Sequence, residues 1–167
     1  TGYIGRVSTD ITLRCPTLTH IDPAAVLFSF TRSRKRSFHG LQARVTPMRF
    51  RDGHTARRSR GTIYQVQRYF VNGREMLYLV TFCLPRFLDQ TFEEKLITIF
   101  HELYHIGEQF DGDLRRHNGR CHVHTHSKKQ YDHHMGKLAK AYLTDHPQPE
   151  LLNVLRLNSP ALRRVFA

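Results

Sequence analysis

The stretch from Thr91 to Gly107 constrains the fold more than any other part of this chain. Thr91-Phe-Glu-Glu94 has the form of a capping box, a hydroxyl followed three residues on by a glutamate, and it predicts a helix start. Phe92, Leu96, Ile99, Leu103 and Ile106 then recur at helical spacing as a core stripe, and Gly107 is the expected stop. On such a helix His101 and His105, four residues apart, lie one above the other on a face distinct from that stripe. Two imidazoles so placed can reach one metal ion. Glu102, about 100° around the helix from His101, can take a proton from water that the ion activates. The expected chemistry is zinc-dependent hydrolysis, with His101 and His105 as ligands and Glu102 as general base.

A catalytic zinc usually has three protein ligands and keeps a further position for water. The third must come from outside the motif, and His117, Cys121, His122, His124, His126, His133 and His134 are the candidates. In an extended segment His122, His124 and His126 share one face. His126 also directly precedes Ser127, the expected N-cap of a second helix, which would fix its backbone. His126 is therefore preferred, and His124 comes next. Tyr131, His134, Arg115 and Arg116 are available to stabilise an oxyanion, whereas Tyr104 within the motif is read as core.

The rest of the chain supplies an α+β frame. Asp22-Pro23 looks like a cap, Val26 to Phe30 alternates as a strand, and a second strand runs from Leu41 to Phe50. Asp52 to Gly61 has no apolar periodicity and reads as a basic loop. Thr62 to Val71 and Arg74 to Leu84 flank Asn72-Gly73, a type I′ hairpin turn. Apolar residues on both faces of the second of these strands imply a central position, ended by Pro85. Beyond the metal helix, Tyr131, Met135, Leu138 and Tyr142 mark one side of another helix, and Leu151 to Leu157 a short terminal one. The expectation is one domain over residues 1–167: a small antiparallel sheet, the His-Glu helix and a following helix. Its core spans about 20–145, with 146–167 as a C-terminal extension, and residues 1–21 receive no assignment.

Charge and cysteine usage set the remaining expectations. Lys and Arg total 26 against 14 acids, a net +12. Residues 32–60 alone hold ten basic side chains and a single acid, Asp52. Such a field attracts polyanions, so this Arg-rich segment is a candidate nucleic-acid rim, and a basic nucleic-acid-associated protein with a structural zinc is the competing reading. A purely structural site would need the histidines but not Glu102. No apolar run approaches membrane-spanning length and no charged-then-apolar leader opens the sequence. Three scattered cysteines without a CxxC pair suit a reducing cytoplasm and exclude a cysteine zinc ribbon within this chain.

His101-Glu-Leu-Tyr-His105-Ile-Gly107, preceded by Phe92-Glu-Glu-Lys-Leu-Ile97 and followed by a His-rich segment and a second helix, resembles the SprT-like and bacterial or phage metallopeptidases of the zincin group. The resemblance implies a small antiparallel sheet before the active-site helix and a protein or peptide substrate. It also implies His101 and His105 as zinc ligands, Glu102 as general base, and a third ligand near the start of the next helix, matched here by His126. The chain departs from the pattern in three ways. It lacks the His-Gly pair of SprT-like proteins, His117-Asn118-Gly119 being the nearest string. It also lacks an appended cysteine ribbon. Asp111 stands where the extended metzincin motif has a third histidine.

Overall fold

A computed structural model describes residues 2–33, 40–116, 128–145 and 148–165. Among the described residues, one α-helix and seven short strands, with three single 3-10 turns between them, precede the metal-motif helix. These are α1 (Gly2–Arg14), β1 (Val26–Arg32), β2 (Ala43–Pro47), β3 (Ala56–Ser59), β4 (Thr62–Gln65), β5 (Tyr69–Val71), β6 (Arg74–Met76) and β7 (Tyr78–Leu84). Then come α2 (Phe92–Tyr104), α3 (Lys128–Thr144), α4 (Pro149–Asn153) and α5 (Ser159–Val165). The α+β class matches expectation. Among the described residues no helix is long and apolar enough to cross a membrane.

The main sheet has the order β1-β7-β2, so β7 is central, as its apolar residues on both faces required. The expected purely antiparallel sheet is corrected. β7 is antiparallel to β2 but parallel to β1, in register from Val26 opposite Tyr78 to Arg32 opposite Leu84. A parallel pair needs a long connection, and the residues between β1 and β7 provide it by making β2 and two separate hairpins.

Both hairpins refine the sequence reading. Asn72 (φ 50°) and Gly73 (φ 78°) form the expected tight turn, but the β5–β6 ladder lasts only from Val71 opposite Arg74 to Tyr69 opposite Met76. At Leu77 the chain changes partners: its amide donates to the Ala25 carbonyl at 2.8 Å and its carbonyl accepts from Met48 at 3.0 Å. The expected loop at 52–61 instead contains β3, which pairs with β4 around a second turn of the same kind, Arg60 (φ 49°) and Gly61 (φ 81°). Neither face of this second ribbon is buried, which is why its sequence carries no apolar alternation.

The core lies between the Tyr78, Val80 and Phe82 face of β7 and the Leu96, Ile99, Phe100 and Leu103 stripe of α2. α3 adds Tyr131, Met135 and Tyr142. The same buried cluster runs past 20–145 in both directions, from Ile4, Val7 and Ile11 of α1 to Leu152 and Leu155. The C-terminal segment is held by Lys95, only 1% exposed, whose Nζ donates to the carbonyls of Leu155 at 3.0 Å and Leu157 at 2.8 Å. Desolvation lowers the pKa of this ammonium.

Candidate metal centre

α2 starts where the capping box predicts. Thr91 Oγ1 accepts from the Glu94 amide and the Glu94 carboxylate accepts from the Thr91 amide. The helix stops at Tyr104 with His105 as its C-cap, three residues before the expected glycine. Gly107 has a different use: a Cβ there would lie 2.7 Å from the Asp113 carbonyl oxygen, beside the bridge between Ile106 and Leu114. Arg115 closes the helix end, donating from Nε to the Tyr104 carbonyl at 2.9 Å and from its backbone amide to His105 at 2.8 Å. Its guanidinium lies 4.1 Å over the Tyr104 ring, a cation at the negative end of the helix.

The spacing of the motif brings both imidazoles together at this helix end. Their ring centres are 4.5 Å apart and nearly perpendicular, at 88°. α3 crosses beside them and offers two consecutive side chains. The Tyr131 ring is stacked on His105 at 5.6 Å and meets His101 edge-on at 4.7 Å, and its hydroxyl lies 3.3 Å from His105 Nδ1. Asp132 Oδ1 lies 3.8 Å from His101 Nδ1. An oxygen atom thus approaches Nδ1 of each imidazole, which is how metal-ligating histidines are commonly oriented. The donor chemistry fits a metal held through Nε2 of both rings.

Glu102 projects into a drier environment, with 6% of its surface exposed. Burial pushes its carboxyl up to about 7, while a hydrogen bond with the Val45 backbone works in the opposite direction. Val45 can reach it because of sheet register. The bonds from Cys83 to the Gln42 carbonyl and from Met48 to the Leu77 carbonyl place Ala43, Val45 and Pro47 in non-hydrogen-bonded pairs. Their backbone groups therefore face the open edge of β2. Burial likewise raises the pKa of Tyr131, so its hydroxyl keeps its proton at neutral pH.

The other candidates separate clearly. His133 and His134 are exposed on α3, and His134 packs against the Tyr104 ring at 5.5 Å. Arg115 serves the end of α2, and Arg116 makes a bidentate pair with Asp113. Of the oxyanion candidates, Tyr131 is the one in contact with both motif histidines. His117, Cys121, His122, His124, His126 and the expected cap Ser127 lie outside the described residues. Among the described residues, no three His, Cys, Asp or Glu side chains form a group able to hold a metal. Sequence reasoning missed Asp132 and the Val45 backbone, because both meet the motif only through tertiary packing.

A family model described as "Putative phage metallopeptidase" matches residues 7–143. No curated protein and no solved structure matches the chain.

Proposed function

The chain belongs to the family described as "Putative phage metallopeptidase", and from that premise we propose that it is a zinc-dependent enzyme that hydrolyses peptide bonds at the C-terminal end of α2. His101 and His105 would hold the metal, with His126 as third ligand. When bound, the zinc supplies Lewis-acid activation of water and of the scissile carbonyl at neutral pH. Glu102, with its carboxyl near 7, accepts a proton from the attacking water and passes it to the leaving amine. A base poised close to ambient pH can do both, because neither protonation state is strongly disfavoured.

Tyr131 supports two steps. A neutral imidazole that ligates through Nε2 carries its proton on Nδ1, so His105 donates to the Tyr131 oxygen. Tyr131 then has its own hydroxyl proton to direct at a developing oxyanion. Asp132 orients His101 electrostatically from the next position on α3.

One observation carries this reading: two converging imidazoles with a buried, pKa-raised carboxylate between them in sequence. A structural zinc has no use for that carboxylate. The test is Glu102→Gln assayed for zinc content and for cleavage of a mixed fluorogenic peptide library. The variant should retain zinc and lose about 10²–10⁴-fold in turnover. Undiminished turnover would refute the assignment of Glu102.

A further inference from the structure

The β3–β4 hairpin takes no part in the core or in the helix-end site, yet it concentrates charge. From Gly53 to Arg74 the sequence contains no Asp or Glu, while Arg57, Arg58, Arg60, Arg68 and Arg74 all fall within it. Two of these are neutralised. Arg68 makes a bidentate pair with Glu75 at 2.8 and 2.7 Å, and Arg74 pairs with Asp22. Arg57, Arg58 and Arg60, on β3 and its turn, form no ion pair among the described residues.

Aromatic rings sit among these charges. Arg57 lies directly opposite Tyr64 in the ladder, and its guanidinium stands 5.6 Å from the Tyr64 ring and 5.1 Å from the Phe50 ring. Tyr64 is 48% exposed and its neighbour Ile63 is 70% exposed. Next to the hairpin a cavity of about 320 Å³ is walled by Phe50, Arg51, His54, Arg57 and Arg116, with no carboxylate in its lining. Arg51 and Arg116 are partly compensated by Asp52 and Asp113, so among the described residues Arg57 is the wall arginine without an acid paired to it.

We propose that the β3–β4 hairpin and the adjoining cavity bind single-stranded nucleic acid, the arginines tracking phosphates and the Tyr64 and Phe50 rings receiving a base. Uncompensated guanidiniums interleaved with the exposed Tyr64 ring and the half-buried Phe50 ring serve unpaired bases, whose faces are open, better than a duplex, whose bases are already stacked. A protein partner would have to bring several acids to one narrow ribbon while leaving the rings without a stacking partner. The proposal is independent of the hydrolytic reading, since it calls on neither a metal nor Glu102.

The test is fluorescence anisotropy of the full chain with a labelled oligothymidylate of about 20 nucleotides, from about 50 to 200 mM salt. Removing Arg57, Arg58 and Arg60 together (R57A/R58A/R60A) should weaken binding about tenfold or more and flatten the salt dependence by about two units of slope. K137A/K140A/R164A removes equal charge from exposed positions elsewhere and should cost less than about threefold. Tyr64→Ala should weaken binding several-fold with the salt slope unchanged, which separates stacking from charge. Unaltered thermal midpoints would establish that the variants are folded. Equal losses from both triple variants, tighter binding of a duplex of the same length, displacement by poly-glutamate as effective as by unlabelled oligonucleotide, or no binding at low salt would each overturn the proposal.

Discussion

At the end of α2, Glu102 and His105 are almost wholly withdrawn from solvent, and each is met by a particular neighbour: the Val45 backbone for the carboxylate, the Tyr131 hydroxyl for the imidazole. On the β3–β4 hairpin three guanidiniums stand in water, and none has an ion pair among the described residues. The contrast follows from solvation. Burial penalises a charge unless something replaces its hydration, so a polar group in the interior is tuned by whatever touches it. An exposed guanidinium keeps its hydration and acts at a distance, within the reach that salt allows. The first region can set a proton affinity; the second can only set an attraction. Substitutions at the two should be read by different instruments.

The largest pH-dependent effect on stability is expected at Glu102, measured without metal. Its folded pKa of about 7 stands above the ordinary 4.5, so the folded state binds this proton more tightly than the unfolded chain. That contribution is fully present below about pH 4.5 and is lost as pH rises through about 7. Glu102→Gln mimics the protonated form at every pH. In chelator, the variant should therefore match the parent near pH 4 and exceed it at pH 8 by up to about 3 kcal/mol. Urea unfolding at the two pH values checks this. A difference independent of pH would mean that Glu102 is not held in the dry site described.

A smaller effect is expected at Tyr131. Tyr131→Phe keeps the ring that stacks on His105 and removes only the hydroxyl beside Nδ1. Loss of such an orienting partner typically lowers metal affinity about 10–100-fold. Competition against a chromophoric chelator should show this drop, with oligonucleotide binding at the hairpin unchanged. If zinc affinity held and only turnover fell, Tyr131 would act on the substrate oxyanion and not on His105. If both were untouched, the α3 crossing would have no bearing on the site.

What could be read from the sequence divides along the same line. α2 was legible because its cap, its apolar stripe and its paired histidines are local, within one or two turns of each other. β7 was legible as a central strand because both its faces are apolar. The parallel pairing of β1 with β7 was not, since a strand's own pattern does not state the direction of its neighbour. α1 is not legible although Ile4, Val7 and Ile11 have helical spacing, because Ser8 and Thr12 are buried with them and blur the stripe. Asp132 and Val45 reach the motif through α3 and β2, which no spacing rule connects to residues 101–105. The β3–β4 ribbon reads as a loop because solvation on both sides removes periodicity, yet Arg60-Gly61 carries a usable signal, a turn pair followed by β-branched residues.

The smallest effect sharpens the comparison most. Ile63 is a large apolar residue on β4, opposite Arg58, and most of its surface is in water. Ile63→Ser removes β-propensity but no core contact, so global stability should change by less than about 0.5 kcal/mol. Leu103→Ala, on the buried stripe of α2, should by contrast cost about 2–5 kcal/mol through transfer and cavity terms. Both are measured in one urea series. Hydrogen exchange adds a finer reading: amides of β3 and β4 should exchange through local opening, far faster than those of β7, because an isolated two-stranded ribbon is marginal alone. A core-sized cost at Ile63, or β3–β4 amides as protected as those of β7, would show the hairpin packed as part of the domain. Its arginines would then be held by structure, and the separation between a tuned interior and a solvated arm would fail at the arm.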